Sequence, residues 1–106
     1  MNSIEHFIDG KTVKGSSKRT AKVFNPATGE VSYNVNLAST SDLNKAVMAA
    51  KKAFSSWSEK TPLFRARILF KFKELIEKNY DELTKIIVSE HGKVYEDAKG
   101  SLTRGL

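Results

Sequence analysis

The chain contains no cysteine, which excludes disulfides, thiolate metal sites and a cysteine nucleophile within these residues. It also lacks a long apolar run: no segment approaches the roughly 18 uninterrupted apolar residues of a membrane-spanning helix. The opening stretch MNSIEHFIDG carries acids and no apolar core, so it does not read as a secretory leader. The six glycines never fall into GxGxxG or a P-loop, and no nucleotide cradle is visible. His6 and His91 lie far apart and HExxH is absent, which argues against a catalytic zinc. These absences point to a soluble, cytoplasmic protein with no membrane partner.

What is present fits one domain. A length of 106 residues allows a single modest core, with roughly two thirds of the unfolded surface buried at that size. The apolar fraction of 40%, with six Phe, three Tyr and one Trp, belongs to a globular chain rather than a disordered one. Eighteen Lys and Arg against twelve Asp and Glu give a net charge of +6, which invites a nucleic-acid reading. The distribution speaks against it. The basic residues are spread along the chain and interleave with acids, as in Lys73 with Glu77 and Glu74 with Lys78 at helical spacing, the pattern of a solvated helix face. No nucleic-acid partner is expected.

Residues 1–38 read as strands and turns. HFI and KTVKG flank Asp9-Gly10, a dipeptide suited to the positive φ angles of a tight type I′ hairpin. AKVFN and EVSYNVNL flank Pro-Ala-Thr-Gly, where Pro26 presets φ and Gly29 permits a left-handed exit. Val31, Tyr33, Val35 and Leu37 alternate, giving that strand one apolar face.

The period then changes, and residues 39–106 read as helical. Leu43, Ala46, Val47, Ala50, Ala53, Phe54 and Trp57 follow the spacing of an amphipathic helix, with Trp57 completing a core-facing stripe. Ser39 and Asp42 form a capping box at its start. Thr61-Pro62 opens a second helix with a stripe of Leu69, Phe72, Leu75 and Ile76. Asn79 with Glu82 is a second capping box, opening a third helix that runs to Gly92. A fourth spans about Tyr95 to Leu106, and SLTRGL reads as the interior of an element rather than its end. The fold class is α/β: β-hairpins followed by amphipathic helices.

Chemistry-bearing residues are few. Ser89, Glu90 and His91 include triad residue types, yet neighbours on a helix point about 100° apart and cannot form a relay. Glu90-His91-Gly92-Lys93 reads as a helix exit with a glycine cap and a lysine facing the dipole. Arg65 and Arg67 read as surface ion-pair formers. Arg104 is either a solvated residue or a guanidinium suited to a carboxylate. No catalytic residue is identified, and on motifs alone the chain is not a self-contained enzyme.

The order of the segments carries more than any one of them. HFIDGK, VFNPATGEV, LNKAVMAAKKAFSSW, RARILFKFKELIEKN and ELTKIIVSEHGK together resemble the N-terminus of the NAD-dependent aldehyde dehydrogenases. RARILFKFKELIE, and SEHGK followed by DAKGSLTRGL, look most like the CoA-acylating methylmalonate-semialdehyde branch. The resemblance implies that residues 1–106 are the outer, N-terminal part of that family's coenzyme-binding domain. The family's nucleophilic Cys, general-base Glu, oxyanion Asn and nicotinamide-binding segment would then all lie downstream.

That resemblance also implies NAD and coenzyme A as cofactors of the complete enzyme, a semialdehyde as substrate and a homo-oligomeric assembly. It implies a structural monovalent cation held by Glu90 and the backbone carbonyls of Val23 and Phe24, hard oxygens that suit such an ion. It implies that Arg104 grips the substrate's carboxylate. No residue here is assigned to NAD. The competing expectation is a short non-catalytic paralogue serving as a binding or assembly module. In either case helix stripes meant for a larger domain should remain exposed.

Overall fold

The computed structural model describes residues 3–106. Five strands precede four helices: β1 Ser3–Ile4, β2 His6–Ile8, β3 Lys11–Val13, β4 Thr20–Phe24, β5 Val31–Asn36, then α1 Thr40–Ser58, α2 Pro62–Lys78, α3 Tyr80–His91 and α4 Tyr95–Gly105. By contacts the chain divides into two units. One comprises residues up to Phe24 with Val31–Lys60; the other comprises Asn25–Glu30 with Thr61–Leu106.

In the first unit, β2 and β3 form the expected antiparallel hairpin, with Ile8 opposite Lys11. Asp9 and Gly10 take φ of 53° and 72°, the paired positive values of a type I′ turn. A separate three-stranded sheet has the order β1-β5-β4. β4 and β5 are antiparallel, while β1 pairs in parallel with β5, Ser3 opposite Asn34. β1 was not anticipated: two residues carry too little pattern to read.

The alternation expected along β5 is interrupted. Val23 faces Tyr33 but Phe24 faces Val31, so Ser32 is an extra residue and bulges the strand. Tyr33 is exposed and the most buried β5 residue is Asn36. Its side chain accepts a hydrogen bond from Ser3 Oγ (2.7 Å) and donates one to the Lys14 carbonyl (3.0 Å). A polar residue is buried there because its amide satisfies two otherwise separate segments.

α1 starts at the capping box read from the sequence. Ser39 Oγ accepts from the Asp42 amide, and the Asp42 side chain accepts from the Ser39 amide. The stripe behind it is not a buried core. Phe54 is 67% exposed and Trp57 38%, so the expectation of a core Trp57 is corrected: the large rings of the stripe stand at the surface.

In the second unit, Thr61 caps α2 by accepting from the Phe64 amide (3.2 Å), with Pro62 in the first turn. The expected Asn79–Glu82 box is not formed. Asn79 makes no side-chain cap to α3 and instead donates its amide to the Leu75 carbonyl (2.7 Å), serving the end of α2. One residue joins the two helices, and the Leu75 carbonyl of α2 accepts from both its backbone N–H and its side-chain amide. Lys73 pairs with Glu77 as expected, whereas Glu74 pairs with Lys71 rather than Lys78. α3 ends at Gly92 with φ 80°, the left-handed exit foreseen. Leu69, Phe72 and Leu75 stay exposed on α2, and Ala98 is the only fully buried apolar residue among those described. No helix among the described residues is long and apolar enough to cross a membrane.

Candidate functional site

The densest polar cluster lies in the first unit, at the N-terminus of α1. The Asp42 carboxylate, 4% exposed, accepts from the Ser39 amide (2.9 Å), the Ser39 hydroxyl (2.7 Å) and the Ser16 amide (3.0 and 3.1 Å), with the Ser16 hydroxyl at 3.1 Å. The backbone hydrogen bond from Ser39, then that from Ser16, holds its carboxyl well below the usual range. Donors fixed around a carboxylate favour its ionised form over the protonated one.

His6 stands beside this cluster. Its imidazole lies against Gly15, where a Cβ would come within 2.9 Å of Nε2, and that nitrogen is buried without a hydrogen-bond partner among the described residues. Serine, histidine and aspartate are thus neighbours, but the order is wrong for acyl transfer. Asp42 binds both serines directly and His6 bonds neither, so no base is placed on a hydroxyl. The arrangement is a clamp between the segment after β3 and the head of α1. Sequence reading found the Ser39 half from its spacing; the Ser16 half had no local signal.

In the second unit, Ser89 Oγ donates to the Ile86 carbonyl (2.9 Å), which removes it from any relay with the exposed Glu90 and His91. Arg65 and Arg67, expected in surface ion pairs, form none among the described residues; the Arg65 Nε is buried and unpartnered. Tyr95 donates to Asp81 Oδ1 (2.6 Å), and that bond is the chief cause of a phenol pKa raised above its ordinary value. Tyr80 Oη donates to the Lys99 carbonyl (2.7 Å) and meets Thr103 Oγ1. These bonds tie α3 to α4 and so fix the helix that carries Arg104.

Arg104 is exposed in the last turn of α4, and its Nη2 donates to Ser101 Oγ at 3.2 Å. Of the residues implied for a cation, Val23 and Phe24 are consecutive at the end of β4 in the first unit, and Glu90 lies in the last turn of α3 in the second. Among the described residues no three His, Asp or Glu side chains gather into a metal cluster. The glycines with positive φ, Gly10, Gly15, Gly29 and Gly92, sit in turns, loops and a helix exit. None opens a helix against a phosphate.

Comparison with known proteins accounts for this scaffold without a complete site. Residues 12–106 match the aldehyde dehydrogenase family. The chain is 44% identical over 106 residues to the malonate-semialdehyde dehydrogenase of Pseudomonas aeruginosa, covering 100% of this chain and 21% of that protein. A crystal structure of a Sinorhizobium meliloti protein assigned as a methylmalonate-semialdehyde dehydrogenase, complexed with NAD, superposes with a TM-score of 0.96 at 49% identity, over 100% of this chain and 22% of that one. Methylmalonate-semialdehyde dehydrogenase from Oceanimonas doudoroffii gives 0.95 at 47%, over 99% and 21%. The chain therefore spans about a fifth of the length of these relatives. It belongs to the aldehyde dehydrogenase family.

Proposed function

We propose that these residues form the N-terminal part of an NAD-dependent, CoA-acylating dehydrogenase acting on malonate or methylmalonate semialdehyde. The observation that carries this reading is the colinear match along the whole chain, at a TM-score of 0.96 and 49% identity, to a protein complexed with NAD. In such an enzyme a cysteine thiolate performs nucleophilic catalysis and the nicotinamide accepts a hydride. This chain has no cysteine and no phosphate cradle, so it contributes scaffold rather than those steps.

Its chemical contribution is Arg104. A guanidinium offers two parallel donors to a carboxylate, and both semialdehydes carry one carboxylate beside the reacting aldehyde. A homo-oligomer in the cytoplasm, coenzyme A as acyl acceptor and a structural monovalent cation belong to the same proposal; the carboxylate of Glu90 is a hard oxygen donor for such an ion.

The intact mass of the protein from its source cells tests the reading. A mass several times 11.8 kDa, with NAD reduction that requires both semialdehyde and coenzyme A, is the expected result. A mass near 11.8 kDa would overturn it in favour of a non-catalytic binding or assembly module.

A further inference from the structure

We propose that the open edge of β4, with Lys18, Arg19 and Lys22 beside it, docks an extended acidic segment of a partner protein as an added strand. The order β1-β5-β4 leaves β4 last in its sheet, and among the described residues no strand pairs with its far side. The Arg19 carbonyl accepts from the Leu37 amide (3.0 Å), and Thr20 stands opposite Asn36 in the antiparallel register. Residues bonded across such a pair alternate. Ala21 therefore bonds to β5, while the backbone N–H and C=O of Thr20 and Lys22 turn outward. Two amides and two carbonyls are thus presented in a row, on residues whose side chains are also exposed.

Charge decides which strand fits. Acids and bases interleave along α2, but from Gly10 to Gly29 the chain carries Lys11, Lys14, Lys18, Arg19 and Lys22 and no acid. Five cations in one segment, against a net charge of +6 for the whole chain, concentrate its positive field there. All five are exposed, and none forms an ion pair among the described residues. Arg19 gives one donor to the Ala38 carbonyl (3.2 Å), which steadies the guanidinium without neutralising it. Lysine on a sheet edge repels a second basic edge, so another copy of β4 laid alongside would set Lys22 against like charges. An acidic strand meets the same groups as partners. Backbone pairing supplies the affinity, and opposite charges across the strands supply the selection. None of these groups takes part in the dehydrogenase chemistry proposed above.

The test uses the protein as isolated from its source, whatever its length, with a short capped peptide of alternating aspartate and valine as the probe. Fluorescence anisotropy reads affinity, and hydrogen exchange reads the Thr20 and Lys22 amides. The peptide should bind, release as salt is raised, and slow exchange at both amides. Lys18→Gln and Lys22→Gln should each weaken binding about fivefold, the scale of one exposed charge contact. The same peptide N-methylated at alternate residues keeps its charge but loses its edge donors, and it should not bind. That arm involves no variant, so loss of fold does not enter it. Equal binding of the N-methylated peptide would reduce the surface to charge alone and overturn the added strand. Binding of duplex DNA without binding of the peptide would reassign the surface to nucleic acid. Absence of peptide binding overturns the proposal as well, and slow exchange at both amides in the protein alone would then name the cause: an edge already covered.

Discussion

Ser16 and Asp42, 26 residues apart, are joined through both oxygens of one carboxylate: the Ser16 amide lies 3.1 Å from Oδ1 and 3.0 Å from Oδ2. The same carboxylate closes the capping box of α1 with Ser39. One short side chain thus satisfies the helix's orphan donors and fastens a distant loop. Asp42→Ala removes both functions and leaves buried amides unpaired. It should lower the melting temperature by several degrees, more than Ser16→Ala, which keeps the amide contact. Thermal melts followed by circular dichroism decide this; equal losses for the two variants would show that the amide contacts and the cap add nothing beyond the Ser16 hydroxyl.

Acid should act on the same clamp. The Asp42 carboxyl is depressed in the folded chain, first by the Ser39 backbone bond and then by that of Ser16. Its contribution is therefore complete above the ordinary carboxylate pKa of about 4 and drains away as pH falls below it. Asp42→Asn should flatten the acid limb of the stability profile while lowering its neutral plateau. An unchanged acid limb would assign acid sensitivity to other carboxylates.

At the alkaline end the relevant group is Tyr95. Its phenol pKa is raised, chiefly by the hydrogen bond to Asp81. That bond stabilises the protonated phenol, so its contribution is full below a pH of about 10 and is lost as pH rises past the elevated folded value. Tyr95→Phe should abolish this alkaline loss, as measured by parallel stability curves. Ultraviolet titration of the wild type should show one tyrosine ionising late.

Gly92→Ala should cost more than Gly10→Ala. Both positions have positive φ, 80° and 72°, and both substitutions incur the strain of a left-handed non-glycine residue, about 1 kcal/mol. At Gly92 the new Cβ would also stand 2.8 Å from Pro26 Cγ, whereas at Gly10 nothing lies within 4 Å. Denaturant midpoints of the two variants isolate that clash, and identical shifts would mean that the Asn25–Glu30 turn gives way freely.

The 106-residue chain expressed by itself should melt broadly and bind a hydrophobic dye. Leu69 is 60% exposed and Phe72 59%, in keeping with side chains that need a partner surface. Calorimetry is the measurement; a single sharp transition with matching calorimetric and van't Hoff enthalpies would contradict the expectation.

What the sequence made legible was local. Ser39 with Asp42, Thr61 with Pro62, Asp9-Gly10 and Gly92 each act within four residues of themselves, and each appears where its chemistry puts it. Asn79 misled because an amide side chain can serve either helix end, and the adjoining α2 carbonyl takes it. Asn36 and Ser16 were unreadable for another reason. Their partners Ser3, Lys14 and Asp42 lie 22 to 33 residues away, beyond any periodic pattern. Arg104 could be singled out from its residue type, and its partner Ser101 lies one turn away on the same helix. Amphipathic spacing located the helix faces, and the expectation that stripes meant for a larger domain stay exposed agrees with Leu69 and Phe72.

The parallel pairing of β1 with β5 bears on how the chain is made. Ser3 and Ile4 leave the ribosome before their partners Asn34 and Val35, which are synthesised some thirty residues later. The β2–β3 hairpin has all its partners at hand and can close in microseconds. The first strand must wait, unpaired, until β5 has emerged and docked beside β4. The strand that comes first in this sheet's sequence order is thus among the last to find its place, and a pause in translation before Asn34 would leave it open to capture by another chain.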